Sequence, residues 1–132
     1  MRTITKIIGF LIIAFLAFSC EKEPGEGGSS SITGYVHVID WNTSFLVQLY
    51  EYAGYDEDVY LIYGDDISFS ERTKTGPDGR FEFKYLREGK YTVYLYSDTL
   101  ATENGGKIPV MKTVEITGKK QVVDTDTIKI NH

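Results

Sequence analysis

Apolar and polar residues alternate with a period of two over most of the chain from Ser31 onward, the pattern of strands that bury one face. Ile32, Gly34, Val36 and Val38 alternate with Thr33, Tyr35, His37 and Ile39; Phe45 to Tyr52 is a second apolar segment; Val59, Leu61 and Tyr63 alternate in a third. A more polar strand is predicted over Ile67 to Thr75. Gly76-Pro77-Asp78-Gly79 is a turn with a mechanism, since proline fixes φ and the Asp-Gly pair accepts the positive φ of a tight hairpin. Beyond it Phe81, Phe83 and Leu86 point one way, while Arg80, Glu82 and Lys84 point the other. After the turn Glu88-Gly89-Lys90, Tyr91, Val93 and Leu95 alternate with Thr92, Tyr94 and Tyr96. Asp98 to Gly106 reads as a polar loop, and the segments Val110 to Ile116 and Gln121 to Ile130, joined by Thr117-Gly118-Lys119, predict a closing hairpin. No segment keeps a helical period. About seven or eight short strands predict an all-β fold, a sandwich of two antiparallel sheets, and the roughly 100 residues of 31–132 suit one such domain.

Ahead of this region the pattern breaks. Arg2 and Lys6 flank the start of an uncharged run from Ile7 to Phe18, the charged and apolar regions of a secretory signal. The run is shorter than the roughly 20 apolar residues a membrane span needs. It ends in Leu16-Ala17-Phe18-Ser19-Cys20, which resembles the lipobox of bacterial lipoproteins, where a small residue precedes a cysteine that is diacylated and becomes the mature N-terminus. The resemblance implies a signal peptide over residues 1–19, lipidation of Cys20 and stable attachment to membrane lipid, because two or three acyl chains hold where one binds marginally. Glu21 to Ser30 offers no apolar residue to bury, so residues 20–30 read as a lipidated cysteine followed by a flexible tether. Glu21-Lys22-Glu23 looks like the acidic, lysine-containing export signals that send some Gram-negative lipoproteins to the outer face of the outer membrane. The implied location is the cell envelope, at the outer membrane and exposed at the surface, with the periplasmic face as the alternative.

The domain itself carries a second resemblance. Ile32-x-Gly34-x-Val36, then Val59-x-Leu61, then Asp78-Gly79-Arg80-Phe81-x-Phe83-x-x-Leu86-x-x-Gly89-x-Tyr91-x-Val93 is similar to the carboxypeptidase regulatory-like domain, a prealbumin-type, Ig-like sandwich related to collagen-adhesin B-type repeats. Such domains serve as stalks, adhesin modules and accessory domains, so the resemblance implies a fold and not a ligand. Trp41 to Asp58 is longer than the usual connection at that place. The internal cross-link of some B-type domains joins a first-strand lysine to an asparagine near the last strand. Ser31 to Ile39 holds no lysine, which leaves Asn131 without that partner, and the cross-link is expected to be absent.

Composition narrows the chemistry. With 14 Lys and Arg against 19 Asp and Glu the net charge is −5, which lacks the basic footprint of a nucleic-acid binder. One cysteine and two histidines, His37 and the terminal His132, supply metal and general-base chemistry poorly. The zinc-binding catalytic part of a carboxypeptidase has no counterpart, and no cofactor or metal is implied. Asp56-Glu57-Asp58 and Asp65-Asp66 match no calcium-loop spacing.

Tyr35, Tyr60, Tyr94 and Tyr96, with Ile39 and Ile62, fall on the strand faces opposite the core, where aromatic side chains can stack on sugars or anchor a protein. The expectation is a non-enzymatic, lipid-anchored envelope module that displays a β-sandwich or binds a glycan or an envelope protein through these tyrosines. The alternatives are a small envelope hydrolase using His37, or a calcium-dependent adhesin domain.

Overall fold

The computed structural model describes residues 23–100, 102 and 104–132. The expected signal peptide and Cys20 lie outside the described residues. Eight strands follow in order: β1 (Glu26–Trp41), β2 (Gln48–Ala53), β3 (Asp58–Tyr63), β4 (Glu71–Lys74), β5 (Arg80–Leu86), β6 (Gly89–Asp98), β7 (Lys107–Ile116) and β8 (Val122–Asn131). They form the two facing sheets of an all-β sandwich. One sheet is built on β1, which pairs antiparallel with β5 and β2 and parallel with β8. Val36 donates its N–H to Gly79 O and accepts from Gly54 N, so β5 and β2 share one edge of β1 and β8 takes the other. The second sheet runs β4-β3-β6-β7, antiparallel throughout.

The alternating apolar residues meet between the sheets. Ile32, Val36 and Val38 of β1, Phe81, Phe83 and Leu86 of β5, and Ile128 and Ile130 of β8 face Val59, Leu61, Tyr91, Val93, Leu95 and Ile116 of the other sheet, all buried. Each such side chain contributes about 1.5–3 kcal/mol through its removal from water. Gly34 interrupts the apolar series for a reason of space: a Cβ there would lie 2.2 Å from Thr125 Oγ1 and 2.4 Å from the Phe81 ring. Gly79 has φ +78° and packs against the Val36 carbonyl, as the turn reading requires.

Several details depart from the sequence reading. Residues 26–30 are not tether but the first part of β1, in which Glu26 and Ser30 both lie opposite Leu86 across an irregular register. A Gly/Ser segment has nothing apolar to bury, yet backbone pairing requires no side chain. The docking continues upstream, where Gly25 N donates to Tyr91 Oη at 2.8 Å and Gly25 O accepts from Arg87 N at 2.8 Å.

The closing hairpin is also replaced. After β7 the chain crosses to the other sheet, and β8 lies parallel to β1, so one sheet is mixed and not purely antiparallel. Buried Ser30 clasps this crossover, its Oγ donating to Gly118 O at 2.9 Å and accepting from Gln121 N at 3.0 Å. In β8 a bulge at Asp126, with φ +63°, shifts the inward parity from Thr125 to Ile128 and Ile130.

Finally, the predicted strand over Ile67 to Thr75 is paired only at Glu71–Lys74, and its earlier half is an exposed loop. The long connection from Trp41 to Asp58 contains β2, which extends the β1 sheet.

Candidate functional site

Pairing of β3 with β6 sets Tyr60 directly opposite Tyr94, and pairing of β6 with β7 sets Tyr94 opposite Met111 and Tyr96 opposite Pro109. Because alternate residues share a face, these side chains form one strip on the outer face of the β4-β3-β6-β7 sheet. The Tyr60 and Tyr94 rings stack with centroids 4.9 Å apart and planes 13° from parallel. Tyr96 packs edge-on against both, 5.8 Å from each. Phe69, from the loop before β4, approaches Tyr60 at 5.0 Å and 62°. Tyr96 and Phe69 are 47% and 46% exposed, so the cluster is accessible and not merely self-covering. Arg72, opposite Tyr60 in β4, places a cation at its border. The Tyr94 phenol is pushed up, first by burial and then by the neighbouring Tyr96, so it stays a neutral hydrogen-bonding group through the physiological range.

Three of the four tyrosines singled out from the sequence therefore meet, and one does not. Tyr35 lies on the outer face of the β1 sheet, its ring 6.2 Å from that of His37, on the opposite side of the sandwich from Tyr60, Tyr94 and Tyr96. Parity along a strand assigns a side chain to the inner or outer face without saying which sheet the strand joins. Phe69 escapes an alternation argument because it sits in a loop, and Met111 because its strand carries apolar residues in both parities.

Both histidines meet carboxylates. His37 Nε2 lies 3.8 Å from Glu51 Oε1. His132 Nε2 is 2.7 Å from Glu57 Oε1, and its Nδ1 is 3.7 Å from Asp98 Oδ2. The Asp56-Glu57-Asp58 cluster is met by cations, with Lys74 Nζ 3.6 Å from Asp56 and 3.5 Å from Asp58. Among the described residues no group of three His, Cys, Asp or Glu is placed to hold a metal ion. The Asn131 side-chain oxygen accepts from the Trp41 indole N–H at 2.9 Å.

A second apolar surface was not anticipated. Leu46, Val47, Leu49, Tyr50, Tyr52 and Tyr55, on and around β2, are all exposed. The sequence marks Phe45 to Tyr52 as apolar, yet β2 pairs with β1 alone among the described residues, and Gln48 to Tyr52 are exposed. The Tyr52 phenol is pushed up by partial burial and then by the charges of Asp40 and Glu57.

No family of known proteins matches the chain, and no curated protein is similar to it. Among solved structures, one similar chain is a "putative carbohydrate binding protein" from Pseudomonas aeruginosa, at 15% identity and a TM-score of 0.47, the match covering 82% of this chain and 91% of that one. Another is (S)-allantoin synthase, at 11% identity and a TM-score of 0.39, covering 80% of this chain and 42% of that one. Both likenesses are too distant to bear on function.

Proposed function

We propose that the chain is a non-enzymatic, lipid-anchored module of the cell envelope that binds a glycan on the outer face of its β4-β3-β6-β7 sheet. The observation that carries this reading is the cluster of Tyr60, Tyr94 and Tyr96, three rings in mutual contact, joined by Phe69 through Tyr60, on the outer sheet face. A pyranose offers a C–H surface and a rim of hydroxyls; aromatic rings take the first, and phenol hydroxyls hydrogen-bond the second. Acylated Cys20 supplies the anchor in this reading, and the acidic, lysine-containing residues after it supply display at the outer membrane.

A glycan array, followed by calorimetry on each glycan retained, tests the proposal. Tyr96→Ala is expected to weaken binding about tenfold or more, in the range of an aromatic hot spot, with the thermal midpoint unchanged. Failure to retain any glycan, or affinity indifferent to Tyr96→Ala and Phe69→Ala, rejects the face as a sugar site. Specific capture of an envelope protein through the same residues would turn the reading toward a protein partner.

A further inference from the structure

The strand β2 combines three properties that the tyrosine face does not. Among the described residues its outer edge is unpaired, since it bonds there to β1 alone. Gly54 N donates to Val36 O at 2.9 Å, and alternation along an antiparallel pair then turns the N–H and C=O groups of Ala53 and Glu51 toward the open side, up to the β-bulge at Leu49 where the register slips between Asp40 and Trp41. Apolar side chains also stand exposed along it: Leu49 is 50% exposed, Tyr50 69% and Tyr52 45%.

Exposed edges are blunted by lysine, proline, bulges, short length or a covering element; β2 is six residues long with a bulge at its start, so Tyr50 to Ala53 is the stretch open to strand addition. Neither lysine nor proline occurs anywhere in residues 42–57. The third property is charge. From His37 to Asp58 the chain has five carboxylates and no Lys or Arg; Lys74 meets Asp56 and Asp58 and His132 meets Glu57, which leaves Asp40 and Glu51, the latter 3.8 Å from His37, as the charges beside the edge. Glu51 lies in the middle of the edge, and Asp40 sits opposite Tyr50 in the register, without an ion-pair partner among the described residues.

We propose that the free edge of β2 is a docking site for an extended, cationic strand of another protein, which adds to the sheet beside β2. Main-chain bonds to Glu51 and Ala53 give such a strand its register, the exposed Tyr50 and Tyr52 side chains lie against it, and lysine or arginine side chains answer Asp40 and Glu51. A second copy of this chain fits the same edge poorly, because a two-fold antiparallel pairing brings the same acidic segment against itself. The site is independent of the glycan reading, being formed by other residues on the other sheet.

Strand peptides test this on the folded chain from Glu23 onward, which contains all the described strands of both sheets. The probes are the peptide Thr-Lys-Val-Lys-Val-Lys-Thr, its counterpart with Glu in place of Lys, and a backbone N-methylated form of the first. Amide chemical shifts and hydrogen exchange report on Glu51 and Ala53. The lysine peptide is expected to protect these amides and to bind about tenfold or more tightly than either control. Glu51→Pro removes an outward donor while leaving the β1 side of the pair, and is expected to abolish the binding. Should that variant fail to fold, Tyr50→Lys, at an exposed side chain, is expected to weaken the lysine peptide with the fold retained.

Equal binding of the lysine and glutamate peptides, binding that survives both variants, or no binding of the lysine peptide overturns the proposal. Self-association that Glu51→Pro dissolves would assign the edge to a second copy instead. Displacement of the peptide by a bound glycan would merge the two sites, whereas a failed glycan array leaves this result standing.

Discussion

Ser30→Ala isolates the contact that decides where the folded domain begins. The hydroxyl is buried and makes two hydrogen bonds into the crossover between β7 and β8, donating to Gly118 O and accepting from Gln121 N. Its removal leaves a carbonyl and an N–H without their partner. Both sites are only part-buried, so water restores some of the loss, and the net cost is about 2 kcal/mol, between two ordinary hydrogen bonds and two fully buried orphans. For a domain of this size that lowers the thermal midpoint by about 8 °C and the urea midpoint by about 1 M. Ser29→Ala is the control. Its Oγ accepts from Lys120 N in an exposed hydrogen bond, and its loss is expected to stay within about 0.5 kcal/mol. Both variants belong in a soluble chain beginning at Glu23 and unfolded in urea under two probes to check two-state behaviour. If residues 26–30 were a tether, neither serine would matter. A Ser30→Ala midpoint indistinguishable from that of Ser29→Ala therefore refutes the docked N-terminal strand.

Phe83→Ala, at a buried ring that meets Phe81 edge-on, is expected to cost about 3–5 kcal/mol, whereas the outward neighbour Glu82→Ala stays within about 0.5 kcal/mol; denaturant midpoints compare the two. The Tyr63 phenol is held well above its ordinary value, first by burial and then by its hydrogen bond to Glu71 Oε2 at 2.6 Å. A raised folded-state value means stability that is full below about pH 10 and falls as pH rises beyond it. Tyr63→Phe is expected to flatten that alkaline decline, followed by denaturant midpoints across the range. Cys20→Ala is expected to abolish incorporation of labelled fatty acid and to release the protein from membrane fractions; unchanged labelling would remove the anchor from the proposed function.

Alternation disclosed the two inner faces because burial acts on every second residue of a strand. Val36 and Val38, Phe81 and Phe83, and Val93 and Leu95 are all buried where their parity puts them. Pairing partners are less legible. The apolar residues of β8 are equally suited to either sheet, and its choice of β1 rests on backbone register and on the Ser30 clasp. The polar composition of residues 26–30 concealed a strand because their contribution is made by main-chain groups and one buried hydroxyl. At the candidate site, parity sent Tyr60, Tyr94 and Tyr96 outward, but their convergence with Phe69 depends on a loop conformation that no periodicity encodes.

The parallel partnership of β1 and β8 gives the molecule a direction under load. β1 opens at Glu26 and β8 closes at Asn131, and the two strands lie side by side from Ser31 with Val122 to Ile39 with Asn131. Because they are parallel, these two points are at opposite ends of the sandwich. A force drawn between them slides one strand along the other, so the ladder bonds are strained together and not opened one after another as in peeling. Pulled in that direction, the domain resists as a shear joint; pulled at right angles to its strands, it would unzip.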